Sequence, residues 1–473
     1  MNTSKSKETA SWITISKFVK QNYRVYILEN EVNVNKLANY NTCNRKFADF
    51  NDGFLFEWNK IGLIDLIYKD SDEFISCPIC METDILVPKI SSCGHIFCWP
   101  CIVKYIYFNI GKEEKCEKFK CPICFSLASN ELVSVRYHVV RNVGIGSKIN
   151  LCLLFRKFSS CVVHYDFSKT ISTKKAFFYK DEAGIHFQRI GFLSNITEIL
   201  LCDLQMLLNK KFGGETNMDE ELYYIDECIS ILYERIGIQG IGTRQIDCLC
   251  DNISLISQFN ENELLEELLR KSNTNYEKFK FDNGMERIFY FYQCYDGQLI
   301  FLEPFYIKIL QFEFGGIDKI PRVLLNVDVI YIIELILDEF AFKRYKFLSH
   351  LPMGSAVKIV GIDIIPLIST ETKYEFGDKI EKRLSRFLKF NDFNSNSEQV
   401  KKRPDENLEK RVANMGSVHN HHRNKYKHRG GECPNKSLLN MKVDVLEEKC
   451  RKARSQLIKH REEQKATAPT SFL

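Results

Sequence analysis

No stretch of this 473-residue chain is apolar for long enough to cross a bilayer. The longest apolar runs, such as Val329 to Leu337 with Glu334 inside it, fall well short of the roughly 20 residues a spanning helix needs, so no membrane partner is expected. Met1 to Trp12 is polar and lacks the apolar centre of a secretory signal. That absence points to a reducing compartment, the cytoplasm first and the nucleus second. A dinucleotide-binding turn is lacking too, because Gly144-Ile145-Gly146 is followed by neither a third glycine nor a helix. Sustained heptads are missing as well. The repeat Leu439, Val443, Leu446, Cys450, Ala453, Leu457 ends within three heptads, too soon for a coiled coil, although it suits a terminal helix.

What is present is ordinary globular composition, 45% apolar and 27% charged, with length for two or three domains. The net charge of +5 is unevenly spread: from Glu381 onward 22 Lys and Arg stand against 12 Asp and Glu, a surplus of 10, which leaves the preceding residues at −5. Cysteine is abundant, at 18 residues. In a reducing compartment these are metal ligands or buried thiols rather than a disulfide framework.

Seven cysteines and one histidine fall into four close pairs: Cys77-x2-Cys80, Cys93-x-His95, Cys98-x2-Cys101 and Cys121-x2-Cys124. Eight ligands suffice for two zinc ions, and a quartet of thiolate or imidazole around each leaves no open position for water. The metals are therefore structural. Cys116 lies in the spacer before Cys121 but sits in a charged loop, and Cys-Pro-Ile-Cys is the better chelate. A closed zinc domain of this kind serves as a structural knob, a nucleic-acid-binding finger or a docking module, and zinc alone does not choose among them.

Three cysteines, one histidine, then four cysteines is the ligand order of the RING finger, which this stretch resembles. The resemblance implies interleaved pairs, with Cys77, Cys80, Cys98 and Cys101 on one zinc and Cys93, His95, Cys121 and Cys124 on the other. It also implies that a ubiquitin-conjugating enzyme (E2) docks on Ile79, Tyr105, Pro122 and Ile123, with Trp99 as a lesser candidate and Ile102, Val103 and Ile106 as the core face of the same helix. Many active RING fingers carry Arg or Lys just after the last ligand; here that residue is Phe125.

Around the cluster the expected architecture is an α+β multidomain chain. Residues 1–20 are a flexible N-terminus. Residues 21–70 hold a strand (Tyr23 to Leu28) and a helix, since Phe54, Trp58, Ile61, Ile64 and Tyr68 recur at helical spacing. The two-zinc RING domain occupies 71–130. Residues 131–280 hold strands over Leu132 to Val140 and Ile149 to Lys157, then helices over Asn195 to Lys210, Asp219 to Ile236 and Phe259 to Lys271. Residues 281–390 are β-rich, with a hairpin turning at Asp296-Gly297, a helix opening at Pro304 and strands over Val323 to Leu337 and Ala356 to Ile365. The aromatic run Phe289 to Tyr292 has no interleaved Lys or Arg, so core packing is its expected role rather than stacking on nucleic acid. Residues 391–473 form a basic, histidine-rich, low-complexity tail for which disorder is expected.

The pieces FYQCYDGQ (Phe291 to Gln298), FLEP (Phe301 to Pro304), RYKFLSHLP (Arg344 to Pro352) and IEKRLSR (Ile380 to Arg386), with CGHIFCWPC in the cluster, resemble the family of RING finger protein 10 and its fungal counterpart. That resemblance implies a RING-type ubiquitin ligase, acting with an E2 that carries ubiquitin, on proteins of the small ribosomal subunit during stalled-ribosome quality control. The basic tail is expected to contact nucleic-acid backbone. The rival expectation is a non-enzymatic zinc-finger adaptor or transcription regulator that binds nucleic acid.

Overall fold

The computed structural model describes residues 21–28, 58–69, 75–111, 117–158, 162–165, 186–193, 195–213, 219–237 and 287–398, with side chains to 387, and a few isolated positions besides. Cys116, the helix expected over Phe259 to Lys271 and the histidine-rich part of the tail lie outside the described residues.

The short hairpin of the zinc region, β3 (Pro88–Ile90) with β4 (Ile96–Cys98), is one edge of a six-stranded sheet. The sheet continues through β7 (Val133–Val140), β2 (Ile61–Lys69), β1 (Arg24–Leu28) and β9 (Ile190–Leu193), while β5 (Lys118–Lys120) and β6 (Leu127–Ser129) pair separately around the last zinc turn. Here the helix expected through Ile61, Ile64 and Tyr68 is corrected. Trp58 starts a single 3-10 turn, its indole nitrogen donating to the Glu131 carbonyl at 2.6 Å, and Ile61–Lys69 is a strand between β1 and β7. Apolar residues at 61, 63, 64, 66, 67 and 68 satisfy helical spacing, but they also satisfy a strand buried on both faces, and the neighbouring strands decide.

Helix α1 (Trp99–Ile110) follows β4, and α2 (Thr197–Phe212) and α3 (Asp219–Ile236) pack against it. Asn195 accepts from the Thr197 amide at 2.8 Å ahead of α2, which ends at Gly213. Between α2 and the sheet lies a buried ionic network. The Asp203 carboxylate accepts from Lys89 Nζ at 2.7 Å, Ser134 Oγ at 2.7 Å and Arg136 at 2.9 Å. Burial by itself raises the Asp203 pKa, but the two cations hold the carboxyl below its usual range.

The second unit is a closed barrel of β8 (Lys148–Lys157), β10 (Ile288–Cys294), β11 (Ile300–Leu302), β13 (Ala356–Ile362) and β12 (Val323–Ile336), paired in that order around the ring. Numbered along the chain the order is 1-2-3-5-4, with strands three and five parallel and α4 (Pro304–Phe314) between strands three and four. This is the topology of the OB-fold. The boundary expected at 280/281 therefore does not divide the molecule. β8 comes from the earlier segment, and β9, α2 and α3 are an insertion between the first and second barrel strands that reaches out to brace the zinc region.

The hairpin turns at Asp296-Gly297 as expected: Gly297 has φ 79°, and a Cβ there would stand 2.4 Å from the His186 carbonyl. The barrel also gathers the motif pieces. Glu303 of FLEP accepts from Tyr331 and from Arg383 of IEKRLSR, which lies on α5 (Thr370–Glu398). Phe347 and His350 of RYKFLSHLP lie 5.4 and 5.6 Å from the Phe291 ring of FYQCYDGQ.

Replacing Asp203 with Ala strands Lys89 in a dry environment. A loss of about 3–5 kcal/mol is expected in urea denaturation of the zinc-loaded protein, against under about 1 kcal/mol for removing the exposed Glu220 that pairs with Lys104.

Candidate metal centre and docking surface

Two identical turns, Cys77-Pro78-Ile79-Cys80 and Cys121-Pro122-Ile123-Cys124, supply half of the metal ligands. Proline presets φ at the first corner of each. Each turn closes with the amide of the next residue donating to the first cysteine's carbonyl, Met81 to Cys77 at 2.7 Å and Phe125 to Cys121 at 3.0 Å. Met81 and Phe125 take φ of 64° and 57°, left-handed values that residues with side chains seldom adopt. The turns bring both thiols of each pair to one point. The other four donors come from the β3–β4 hairpin and α1: Cys93 and His95 in its turn, Cys98 at the end of β4, and Cys101 in the first turn of α1, where Pro100 costs no hydrogen bond.

The donors gather into two groups, Cys77, Cys80, Cys98 and Cys101 in one and Cys93, His95, Cys121 and Cys124 in the other, with the ligand atoms of each within 4.8 Å of one another. These are the interleaved sets expected from the sequence. A tetrahedral zinc with sulfur at about 2.3 Å requires sulfur–sulfur edges of about 3.8 Å. Cys80 and Cys98 Sγ are 3.8 Å apart, and His95 Nδ1 is 3.3 Å from Cys93 Sγ and 3.6 Å from Cys121 Sγ. The donor sets fit two Zn2+ ions, each fully ligated by protein, and so suit structural centres.

Protonation in the quartets is that of crowded thiols. Hydrogen bonds from Cys101 and Cys98 hold Cys77 far below the usual thiol range, while the same contacts push Cys101 far above it. Burial pushes Cys121 up to about 12 and lowers His95, which keeps its imidazole in the neutral, ligating form. Hydroxyls support the sulfurs from outside, Ser91 at 2.9 Å from Cys93 and Ser126 at 2.9 Å from Cys124.

Ile79 and Ile123 stand at the tips of the two turns, 36% and 42% exposed. Pro122 is half-buried, as is Tyr105, one turn beyond Cys101 on α1. Ile102, Val103 and Ile106 are core, as the helical spacing implied. Trp99 is a correction: it is 4% exposed, with Lys89 Nζ 4.4 Å from its ring centroid, and it packs between β3 and α1 instead of offering a surface. Phe125 is 74% exposed. Two exposed apolar residues escaped the sequence reading, Met81 after the first turn and Phe108, three residues beyond Tyr105 on the same helical stripe. Spacing from Tyr105 was the available signal for Phe108. Beside this stripe α3 braces α1 through Lys104 to Glu220 at 2.9 Å and Tyr107 to Glu227 at 3.4 Å.

A family described as a RING-type zinc-finger matches residues 77–122. Over 345 residues the chain is 23% identical to a protein of Schizosaccharomyces pombe named as an uncharacterized RING finger protein, a match covering 66% of this chain and 49% of the relative. It is likewise 23% identical over 343 residues to the E3 ubiquitin-protein ligase MAG2 of Saccharomyces cerevisiae, covering 66% of this chain and 48% of the relative. A shorter match joins 69 residues, 33% identical, to the E3 ubiquitin-protein ligase RMA2 of Arabidopsis thaliana, 13% of this chain and 35% of the relative. The chain thus spans about half the length of the two fungal relatives. No solved structure matches it.

Metal analysis of the purified chain is expected to give two zinc ions, and Cys77→Ser or Cys121→Ser to give one each. Chelation is expected to melt β3 and β4, read as loss of amide protection in hydrogen exchange. The ligand geometry and the matched segment agree: this chain carries a RING-type zinc finger, within a longer region homologous to fungal RING-finger proteins.

Proposed function

We propose that this chain is a RING-type E3 ubiquitin-protein ligase. It docks a ubiquitin-charged E2 on Ile79, Tyr105, Pro122 and Ile123 and holds a substrate lysine within reach of the thioester. The observation that carries this reading is the pair of exposed isoleucines on identical zinc turns, where uncompensated apolar side chains mark an interface. The similarity to proteins named as ubiquitin ligases supports it.

In this mechanism no residue of the chain becomes covalently attached to ubiquitin. The lysine amine attacks the thioester carbonyl, the E2 cysteine leaves as thiolate, and an isopeptide bond replaces the thioester. The chain contributes proximity, orientation and restriction of the thioester to a reactive arrangement. The zinc ions keep the docking turns in shape, and α3 keeps α1 seated.

The finer reading is a substrate on the small ribosomal subunit, modified in the cytoplasm when ribosomes stall, with the nucleus as a second location. Its support is the resemblance of the barrel motifs to the family of RING finger protein 10 and the surplus of 10 positive charges from Glu381 onward, suited to nucleic-acid backbone. A second reading, a non-enzymatic zinc-finger adaptor or transcription regulator, is favoured by Phe125 in the position where many active RING fingers carry a cation.

Autoubiquitination by the full chain with a panel of charged E2 enzymes separates the two. Ile79→Ala is expected to slow transfer roughly 5- to 30-fold with zinc content unchanged, the effect of truncating an interface anchor. Phe125→Arg is expected to speed it. Zinc-dependent transfer absent across the panel would leave the adaptor reading. For the ribosomal target, cosedimentation with small subunits is expected at low salt and should weaken as salt rises and when residues 391–473 are removed.

A further inference from the structure

The aromatic run Phe289 to Tyr292 has no cation of its own, and the fold supplies one. Arg156, opposite Phe289 on the neighbouring strand β8, places its guanidinium 5.0 Å from the Phe289 ring centroid. Phe158, 44% exposed, stands 5.8 Å from the same ring. Arg156 is itself buried and fixed by carbonyls, donating to Phe347 at 3.0 Å, Lys346 at 2.9 Å and Lys157 at 3.1 Å. It thereby pins together two connections of the barrel, the one that leaves strand one after Lys157 and the one that joins strands four and five. Two exposed cations belong to the segments that meet there: Arg287, whose carbonyl accepts from the Phe158 amide at 2.8 Å, and Lys346, whose carbonyl accepts from Arg156.

In barrels of this strand order these two connections, with strands two and three between them, form the face that takes oligonucleotides or oligosaccharides. In this chain the middle of the face is filled by its own residues, since Phe347 and His350 cover Phe291 and all three are buried. The rim is what stays open. Asp338 and Glu339 are exposed further along that connection, but the described residues that meet Phe158 there through the backbone and Arg156, namely Arg287 and Lys346, are cationic, which suits a polyanion better than a neutral sugar. Further along the same connection Lys343 lies 5.4 Å from the ring of exposed Phe340, a second pairing of cation and aromatic.

We propose that this rim binds single-stranded nucleic acid, with a base stacked on exposed Phe158 and phosphates held by Arg287 and Lys346. An exposed ring accepts the π-face of any base, which a duplex keeps hidden, and the cations track the backbone. The proposal is independent of ubiquitin transfer. A strand held here would nonetheless be tethered to the zinc region, because the segment that braces the RING helix lies in the chain between the first two barrel strands.

The test is fluorescence anisotropy with the full, zinc-loaded chain and labelled uridine RNA, thymidine DNA and a duplex, each of about 12 nucleotides, at about 50 and about 200 mM salt. Single strands are expected to bind more tightly than the duplex, and the tighter of RNA and DNA identifies the natural class. Affinity is expected to fall with salt. Phe158→Ala is expected to weaken binding roughly 5- to 100-fold, and Arg287→Ala or Lys346→Ala to reduce the salt slope by roughly 0.7 each, with thermal melting unchanged. Reversing Lys401, Lys402 and Arg403 to Glu in the tail should leave most of the affinity. No binding at the lower salt, a duplex bound as tightly as a strand, or affinity lost with the tail variant and kept with Phe158→Ala would each overturn the proposal.

Discussion

The Asp203 carboxylate is shared by three parts of the chain that are far apart in sequence. It comes from α2, and it holds Lys89 of the zinc-region hairpin together with Ser134 and Arg136 of the strand beside that hairpin. A lone buried charge is costly, and so is a buried ammonium; here each answers the other, and the hydroxyl and guanidinium use the remaining acceptor capacity. Removing any one member alone would leave its partners buried and unpaired. The hairpin, the sheet and α2 therefore stay in register or lose the network together, which makes the RING finger part of a larger unit rather than a bead on a linker.

Two kinds of restraint thus divide the work around the metal centre. Zinc ligation closes the turns and sets the positions of Ile79 and Ile123 over short chain distances. The sheet and helices act over long ones: β7 continues the hairpin, Trp99 lies against Lys89, and α3 shares a buried core with α1 and adds the Lys104–Glu220 pair at the surface. The exposed apolar tips sit on a base fixed from both directions, as a docking surface requires if association is not to be spent on ordering it.

The barrel shows a related economy. Four motif pieces scattered over nearly a hundred residues meet there, through Glu303 with Tyr331 and Arg383 and through Phe347 and His350 on Phe291. Its first connection is enlarged into the elements that brace the zinc region, so whatever the barrel engages is linked mechanically to the RING.

The zinc ligands, their pairing and the core face of α1 were legible in the sequence because metal chelation and helical periodicity are short-range: two-residue spacing and one ligand order admit few geometries, and resemblance to a known finger selected among them. Most strands and helices of the barrel were legible for the same reason, their punctuation by Asp296-Gly297 and Pro304 being local. The strand at Ile61–Lys69, the burial of Trp99 and the allegiance of β8 to the barrel were not, since a run of apolar residues declares that it is buried without naming its neighbours. The cation beside Phe289 belongs with these. Sequence by itself determined a two-zinc finger with apolar turns; which residues face solvent, and which charges meet which rings, was decided only when distant strands paired, because side-chain partners across a sheet are set by register and not by spacing along the chain.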